Sequence, residues 1–108
     1  MTTAKNIVIL GGGESGVGAA HLAVKQGYEV FVSDSGAIAD HYRAELESLG
    51  VLYEENRHTE ERILAADEVI KSPGIPEQAP VITRLRQKAI PVITEIEFAG
   101  RDTAAKMI

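Results

Sequence analysis

Ile7-Val8-Ile9-Leu10-Gly11-Gly12-Gly13-Glu14-Ser15-Gly16 is the stretch on which the reading of the fold turns. Four branched aliphatic residues in a row read as a strand buried on both faces, because a strand with one wet face would alternate. No apolar run in the 108-residue chain is longer. The glycines follow at once in the spacing G-x-G-x-x-G. A helix is expected after them, from about Ser15 to Gln26, with Val17, Ala20 and Val24 on one face and Gly27 at the position where a C′ glycine ends a helix. In a strand–loop–helix unit of this kind Gly11 makes the tight turn. Gly13 leaves the backbone open to a phosphate, and Gly16 lets the helix pack on the strand. The helix N-terminus adds unpaired N–H groups and about half a positive charge. A glycine-rich turn with no ligand is the plainer alternative.

Outward from this unit, short apolar runs alternate with amphipathic stretches that end in glycine or before proline. Glu29–Ser33 is a second strand and Ile38–Leu49 a helix whose Tyr42, Leu46 and Leu49 share a face. Val51–Tyr53 is a third strand. Thr59 is a candidate N-cap for a short helix with Glu60 and Glu61 in its first turn. Glu68–Lys71 is a fourth strand, and Ser72-Pro73-Gly74-Ile75-Pro76 a loop held out of regular structure. Pro80 opens a helix to about Ala89 that buries Ile82, Leu85 and Ala89. Pro91–Ile93 is a fifth strand, and Thr94-Glu95-Ile96-Glu97 matches a capping box before a last helix. The expectation is an α/β, Rossmann-like three-layer domain with a five-stranded, mainly parallel sheet.

Composition narrows the function classes. Hydrophobic residues make up 44% and charged residues 25%, an ordinary globular mix. The absence of cysteine removes disulfides and thiolate metal sites. A net charge of −5 argues against a general nucleic-acid binder. No run approaches the ~20 residues of a membrane span, and no apolar segment behind Lys5 reads as a secretory signal. A cytoplasmic protein with no membrane or nucleic-acid partner is expected.

If the sheet forms, the candidate binding residues gather at its carboxyl edge, where open parallel sheets bind ligands. Asp34 ends the second strand 18 residues after Gly16. It reads equally as an acceptor for ribose hydroxyls and as a turn residue in Asp34-Ser35-Gly36. Ser72 follows the fourth strand, and its hydroxyl can donate to a phosphate or cap its own turn. Lys71 is either a charge for a ligand or a solvated lysine. Glu14 can offer its N–H while its carboxylate points to solvent. His21, His41 and His58 have no metal-binding spacing and read as surface residues. Glu95 and Glu97 diverge, and Glu97 is the capping-box partner of Thr94. No nucleophile–base pair is discernible. From these residues alone an NAD(P)-binding domain of an oxidoreductase is favoured, with a nucleotide-sensing regulatory module as another possibility.

Four blocks shift that balance: Gly11–Gly16, Asp34-Ser35, Ile70-Lys71-Ser72-Pro73-Gly74-Ile75-Pro76 and Pro91-Val92-Ile93-Thr94-Glu95-Ile96-Glu97-Phe98. In this order, over almost the whole chain, they resemble the N-terminal domain of the bacterial Mur ligases, in the D-glutamate-adding branch. The resemblance implies a UDP-substrate-binding domain over residues 1–101. It implies that 102–108 are a linker into an ATP-binding domain, Ala104–Ile108 resembling the start of a strand that leads into a P-loop. No G-x-x-x-x-G-K-[ST] occurs in these residues. The fragment alone is therefore expected to be inactive and to hold no cofactor. The parent would use ATP, magnesium and a carbamylated lysine of its central domain to join D-glutamate to UDP-N-acetylmuramoyl-L-alanine, as a monomer. By the same resemblance the Glu14 and Ser15 amides and the Ser72 hydroxyl contact the diphosphate, within a loop shaped by Gly11, Gly13 and Gly16. Asp34 and Ser35 recognise the uracil. Gly36 is a departure, since relatives can carry a side chain there.

Overall fold

The apolar run near the start of the chain becomes the central strand. A computed structural model describes residues 5–106, with side chains through Gly100, and strand alternates with helix throughout. The elements are β1 (Asn6–Leu10), α1 (Glu14–Lys25), β2 (Glu29–Ser33), α2 (Asp40–Ser48), β3 (Leu52–Glu54), α3 (Glu60–Ile63), β4 (Glu68–Lys71), α4 (Pro80–Gln87), β5 (Val92–Thr94) and α5 (Glu95–Lys106). The sheet order is β3-β2-β1-β4-β5. Every pairing is parallel, so the sheet is wholly rather than mainly parallel. The chain winds outward from β1 to β3, then crosses back to β4 and β5.

This topology explains the unbroken apolar run. Ile7, Val8, Ile9 and Leu10 are at most 1% exposed. Successive strand side chains face opposite ways. Ile7 and Ile9 therefore join Val17, Ala20, Ala23, Leu46 and Phe98 in the core beneath α1, α2 and α5. Val8 and Leu10 join Phe31, Ile63, Val69, Ile82 and Leu85 on the other face, beneath α3 and α4. Each buried Val, Leu, Ile or Phe among them contributes roughly 1.5–3 kcal/mol by leaving water.

The helix ends carry the local detail. The capping box at Thr94 forms: Glu97 N–H donates to Thr94 Oγ1 at 3.2 Å, and Thr94 N–H donates to Glu97 Oε1 at 3.0 Å. Three expectations need correction. Helix α4 stops at Gln87, and Ala89 is exposed with a φ of +58° instead of buried on its face. Thr59 stands at the N-cap of α3 but makes no side-chain cap; its hydroxyl donates instead to Glu54 Oε1 at 2.5 Å. The backbone of α5 continues to Lys106, so Ala104–Lys106, read as the start of a strand, are helical. Met107 and Ile108, the end of the strand expected to lead onward, lie outside the described residues.

Candidate functional site

The strand order reverses between β1 and β4, and the carboxyl edge at such a switch point is the place where doubly wound sheets take their ligands in a crevice. The glycine loop leaves β1 on one side of it. Gly11 N–H donates to the Ser33 carbonyl at 2.8 Å, bending the loop over the end of β2. Gly11 has a φ of +110°, which a side chain rarely adopts, and a Cβ on it would lie 2.9 Å from Ser72 Cβ. A Cβ on Gly16 would overlap the Gly11 carbonyl oxygen outright, which is why α1 can sit so close behind β1. Gly13 differs from both. Its φ of −87° is ordinary, and a Cβ there would meet nothing within 4 Å. The loop thus leaves open space at the residue where a phosphate is expected.

Gly13 is also the N-cap of α1, with no side-chain cap. Its carbonyl accepts the first intrahelical bond, from Val17 N–H at 2.9 Å. The N–H groups of Glu14, Ser15 and Gly16 precede that bond and have no acceptor within the helix. Glu14 and Ser15 are exposed. Together these amides make an electropositive cradle on a chain of net charge −5.

Asp34 holds the loop to β2. Its Oδ2 accepts from Gly12 N–H at 2.8 Å, and its Oδ1 accepts from Gly36 N–H at 2.9 Å. The second bond is the turn chemistry expected of Asp34-Ser35-Gly36; the first, across 22 positions, is a tether that spacing does not announce.

Ser72 lies against the start of the glycine loop, next to Gly11. Its N–H donates to the Leu10 carbonyl at 3.1 Å, continuing the β1–β4 pairing beyond the sheet. Its hydroxyl oxygen accepts from Gly74 N–H at 3.4 Å. Lys71 is not a solvated lysine. Its side chain is 11% exposed, and its ammonium donates to the Ile75 carbonyl at 3.0 Å and sits 3.3 Å from Glu77 Oε2. It straps the Ser72–Pro76 loop from below. Arg86 and then Lys71 hold the Glu77 carboxyl below the usual carboxylate range by donating hydrogen bonds to it.

A polar cluster that the sequence reading does not anticipate lies beside this edge. Ser33 is fully buried at the end of β2 and donates to Glu54 Oε2 at 2.8 Å. Thr59 N–H donates to the same oxygen at 2.7 Å. His58, read as a surface residue, is half-buried, with Nδ1 2.7 Å from Ser33 Oγ. His21 and His41 are exposed as expected. Burial pushes the Glu54 carboxyl up, but the bonds from Thr59 and Ser33 and the charge of Arg57 outweigh it and leave it below the usual range. The only hint in the sequence is that Ser33 and Glu54 both sit at carboxyl ends of neighbouring strands.

Gly11, Gly13, Glu14, Ser15, Gly16, Asp34, Ser35 and Ser72 therefore share one edge, from α1's first turn to the loops after β2 and β4. Among the described residues no group of three or more His, Cys, Asp or Glu is arranged to hold a metal ion. None of their helices is long and apolar enough to cross a membrane.

Comparison with known proteins agrees with this geometry. The family described as Mur ligase MurD-like, N-terminal domain, matches residues 5–94. UDP-N-acetylmuramoylalanine–D-glutamate ligase of Bacteroides fragilis is 62% identical over 104 residues, which is 96% of this chain and 23% of that protein. The enzyme of the same name from Porphyromonas gingivalis is 58% identical over 103 residues, covering 95% and 23%. The chain thus spans about a quarter of the length of these relatives. Among solved structures, UDP-N-acetylmuramate-alanine ligase MurC of Thermotoga maritima shares the fold with a TM-score of 0.75 at 24% identity, over 96% of this chain and 23% of that one. With its fold, its glycine loop and a match over residues 5–94, the chain belongs to the MurD-like family of Mur ligase N-terminal domains.

Proposed function

We propose that this chain is the domain that holds the uridine diphosphate of UDP-N-acetylmuramoyl-L-alanine within an ATP-dependent ligase that joins D-glutamate to that substrate during peptidoglycan synthesis. The observation that carries the reading is the cradle at the carboxyl edge. Glu14 and Ser15 are exposed and their amides have no acceptor within α1, there is open space at Gly13, and Ser72 is held at the end of β1 by its N–H bond to the Leu10 carbonyl. The diphosphate accepts from those amides and from the Ser72 hydroxyl, and the base lies toward Asp34 and Ser35. The names of the relatives supply the rest: the nucleotide-linked substrate, the D-glutamate and their ligation.

In such a ligase the substrate carboxylate takes a phosphoryl group from ATP, and the amine of D-glutamate displaces phosphate from the resulting acyl phosphate. The described residues of this chain hold neither a P-loop nor a metal-binding cluster, so they do not fit ATP–magnesium. That chemistry belongs to a further part of the polypeptide, into which residues 102–108 lead. ATP dependence places the work in the cytoplasm.

Calorimetric titration of the protein with UDP-N-acetylmuramoyl-L-alanine and, separately, with NADH tests this reading. The former is expected to bind more tightly. The reverse order would make the chain a dehydrogenase cofactor domain, using the same glycine loop and Asp34.

A further inference from the structure

A cavity of about 430 Å³ opens at the opposite edge of the sheet, by the amino ends of β1, β2 and β3. Leu52, Phe31, Val8 and Val69 are register partners across β3, β2, β1 and β4, so they share the face beneath α3 and α4. Three of them are at most 5% exposed, but Leu52 is 62% exposed. The cause is the length of α3. Its four residues make about 6 Å of helix, little more than the ~4.8 Å between neighbouring strands, so β3 is left uncovered. The cavity lies over that uncovered end, and its volume falls within the roughly 300–1,000 Å³ of small-molecule sites.

Two charged side chains line it. The Arg62 guanidinium lies over the Phe31 ring, its central carbon 4.0 Å from the ring centroid. A guanidinium held against an aromatic face keeps its in-plane N–H groups for a carboxylate. Glu29 precedes Phe31 by two residues on β2, so the two side chains leave the same face of the strand. Among the described residues Arg62 and Glu29 have no ion-pair partner, in each other or elsewhere. The cavity therefore combines an anion-binding fork, a carboxylate and an exposed apolar side chain.

We infer that this cavity binds a free α-amino acid with an apolar side chain, its carboxylate on Arg62, its ammonium on Glu29 and its side chain against Leu52. Glu29 and Phe31 are about 6.6 Å apart along the strand. Two charge-assisted hydrogen bonds of about 2.8 Å, joined by the short N–Cα–C link of the ligand, span a gap of that order. The interior of a peptide carries neither charge. A second copy of this chain carries both, but two concave faces cannot fill each other.

The test is an NMR titration of the isotope-labelled protein with L-leucine, with isocaproate, which is leucine without its ammonium, and with isoamylamine, which is leucine without its carboxylate. Leucine should shift the Phe31, Leu52 and Arg62 resonances along a saturating curve. Each fragment should bind about 5-fold more weakly, the upper end of what one exposed ion pair contributes. Arg62→Gln and Glu29→Gln should each weaken leucine by the same factor. Arg62→Gln should leave isoamylamine binding unchanged, and Glu29→Gln should leave isocaproate binding unchanged. Both side chains are exposed, so the thermal midpoints of the variants should match the parent. Absence of saturable shifts with leucine overturns the inference. Equal binding of leucine and both fragments also overturns it, because apolar contact alone would then explain the shifts. A concentration-dependent dimer in sedimentation that Leu52→Asp abolishes would give this face to a second copy and overturn it as well.

Discussion

The three motif glycines do different jobs, and substitution separates them. Gly16 is a packing residue: a methyl group there collides with the Gly11 carbonyl, backbone against backbone, with no flexible atom to move aside. Gly16→Ala should cost about 3 kcal/mol or more, the upper range of overpacking, and appear as a lower midpoint in urea unfolding of this chain. Gly13 has room and ordinary dihedrals. Gly13→Val should leave the unfolding midpoint within about 1 kcal/mol of the parent, as surface changes usually do, while abolishing diphosphate binding because its branches fill the phosphate's space. Glu14→Ala should leave binding unchanged or better, since only the backbone of Glu14 serves the cradle. A Glu14→Ala loss as large as that of Gly13→Val would instead make the carboxylate a direct ligand. At this scale the glycines were legible because each role is a backbone constraint written in a fixed spacing. The Asp34–Gly12 tether and the Ser33–Glu54–His58 cluster were not. They join residues more than twenty positions apart, and side chains on neighbouring strand ends meet only once the register is set.

Among the elements, the loop after β4 shows how a strand end becomes a rigid arm. Pro73 and Pro76 limit its conformations, and the buried Lys71 ammonium binds the Ile75 carbonyl and Glu77, which Arg86 of α4 grips in turn at 2.6 Å. Ser72 is thereby held at the crevice before a ligand arrives, and preorganisation of this kind reduces the ordering cost of binding. With the Ser72 hydroxyl donating to the diphosphate as proposed, Ser72→Ala should cost about 1.5–3 kcal/mol, roughly 10- to 150-fold in affinity. Lys71→Met should weaken diphosphate binding less, and only through Ser72. The pair should be non-additive: the double variant should bind about as well as Ser72→Ala alone. Full additivity in that double-mutant cycle, measured by calorimetry, would mean that Lys71 meets the ligand independently. Element boundaries were legible where the chain punctuates itself. Glu68–Lys71 and the Thr94–Glu97 box came out as read, and α1 and α2 end just before Gly27 and Gly50. Ala89 and Thr59 misled for a tertiary reason. Ala89 turns left-handed after α4 so that β5 can begin, and Thr59 finds a better partner in the Glu54 carboxylate than in its own helix.

For the whole molecule, sequence alone carried the layer order, because an unbroken apolar β1 is needed only when helices cover both faces. It could not carry the strand order, which depends on which way the chain crosses after α3. That crossing has a stability consequence. The loop between β3 and α3 passes close to the ends of β2 and β3, and Glu54 pins it there: its oxygens take bonds from Ser33, Thr59 and Arg57, with the carboxylate 8% exposed. Burial alone would raise this carboxyl, but those donors lower it below its ordinary value. A depressed carboxyl contributes stability that is present above its unfolded value and lost as pH falls through the folded one. Glu54→Gln removes the charge but keeps the shape, so it should cost about 1.5–3 kcal/mol at neutral pH, the worth of hydrogen bonds to a charged acceptor. The gap between parent and variant should hold from pH 8 to about 5.5 and close steadily below the unfolded value of about 4.3, because protonation then removes from the parent what substitution removed from the variant. Urea unfolding of both proteins across that range measures the gap. A gap that stays constant down to pH 3 would mean that the Glu54 cluster holds the loop by shape alone and that its charge contributes nothing to the fold.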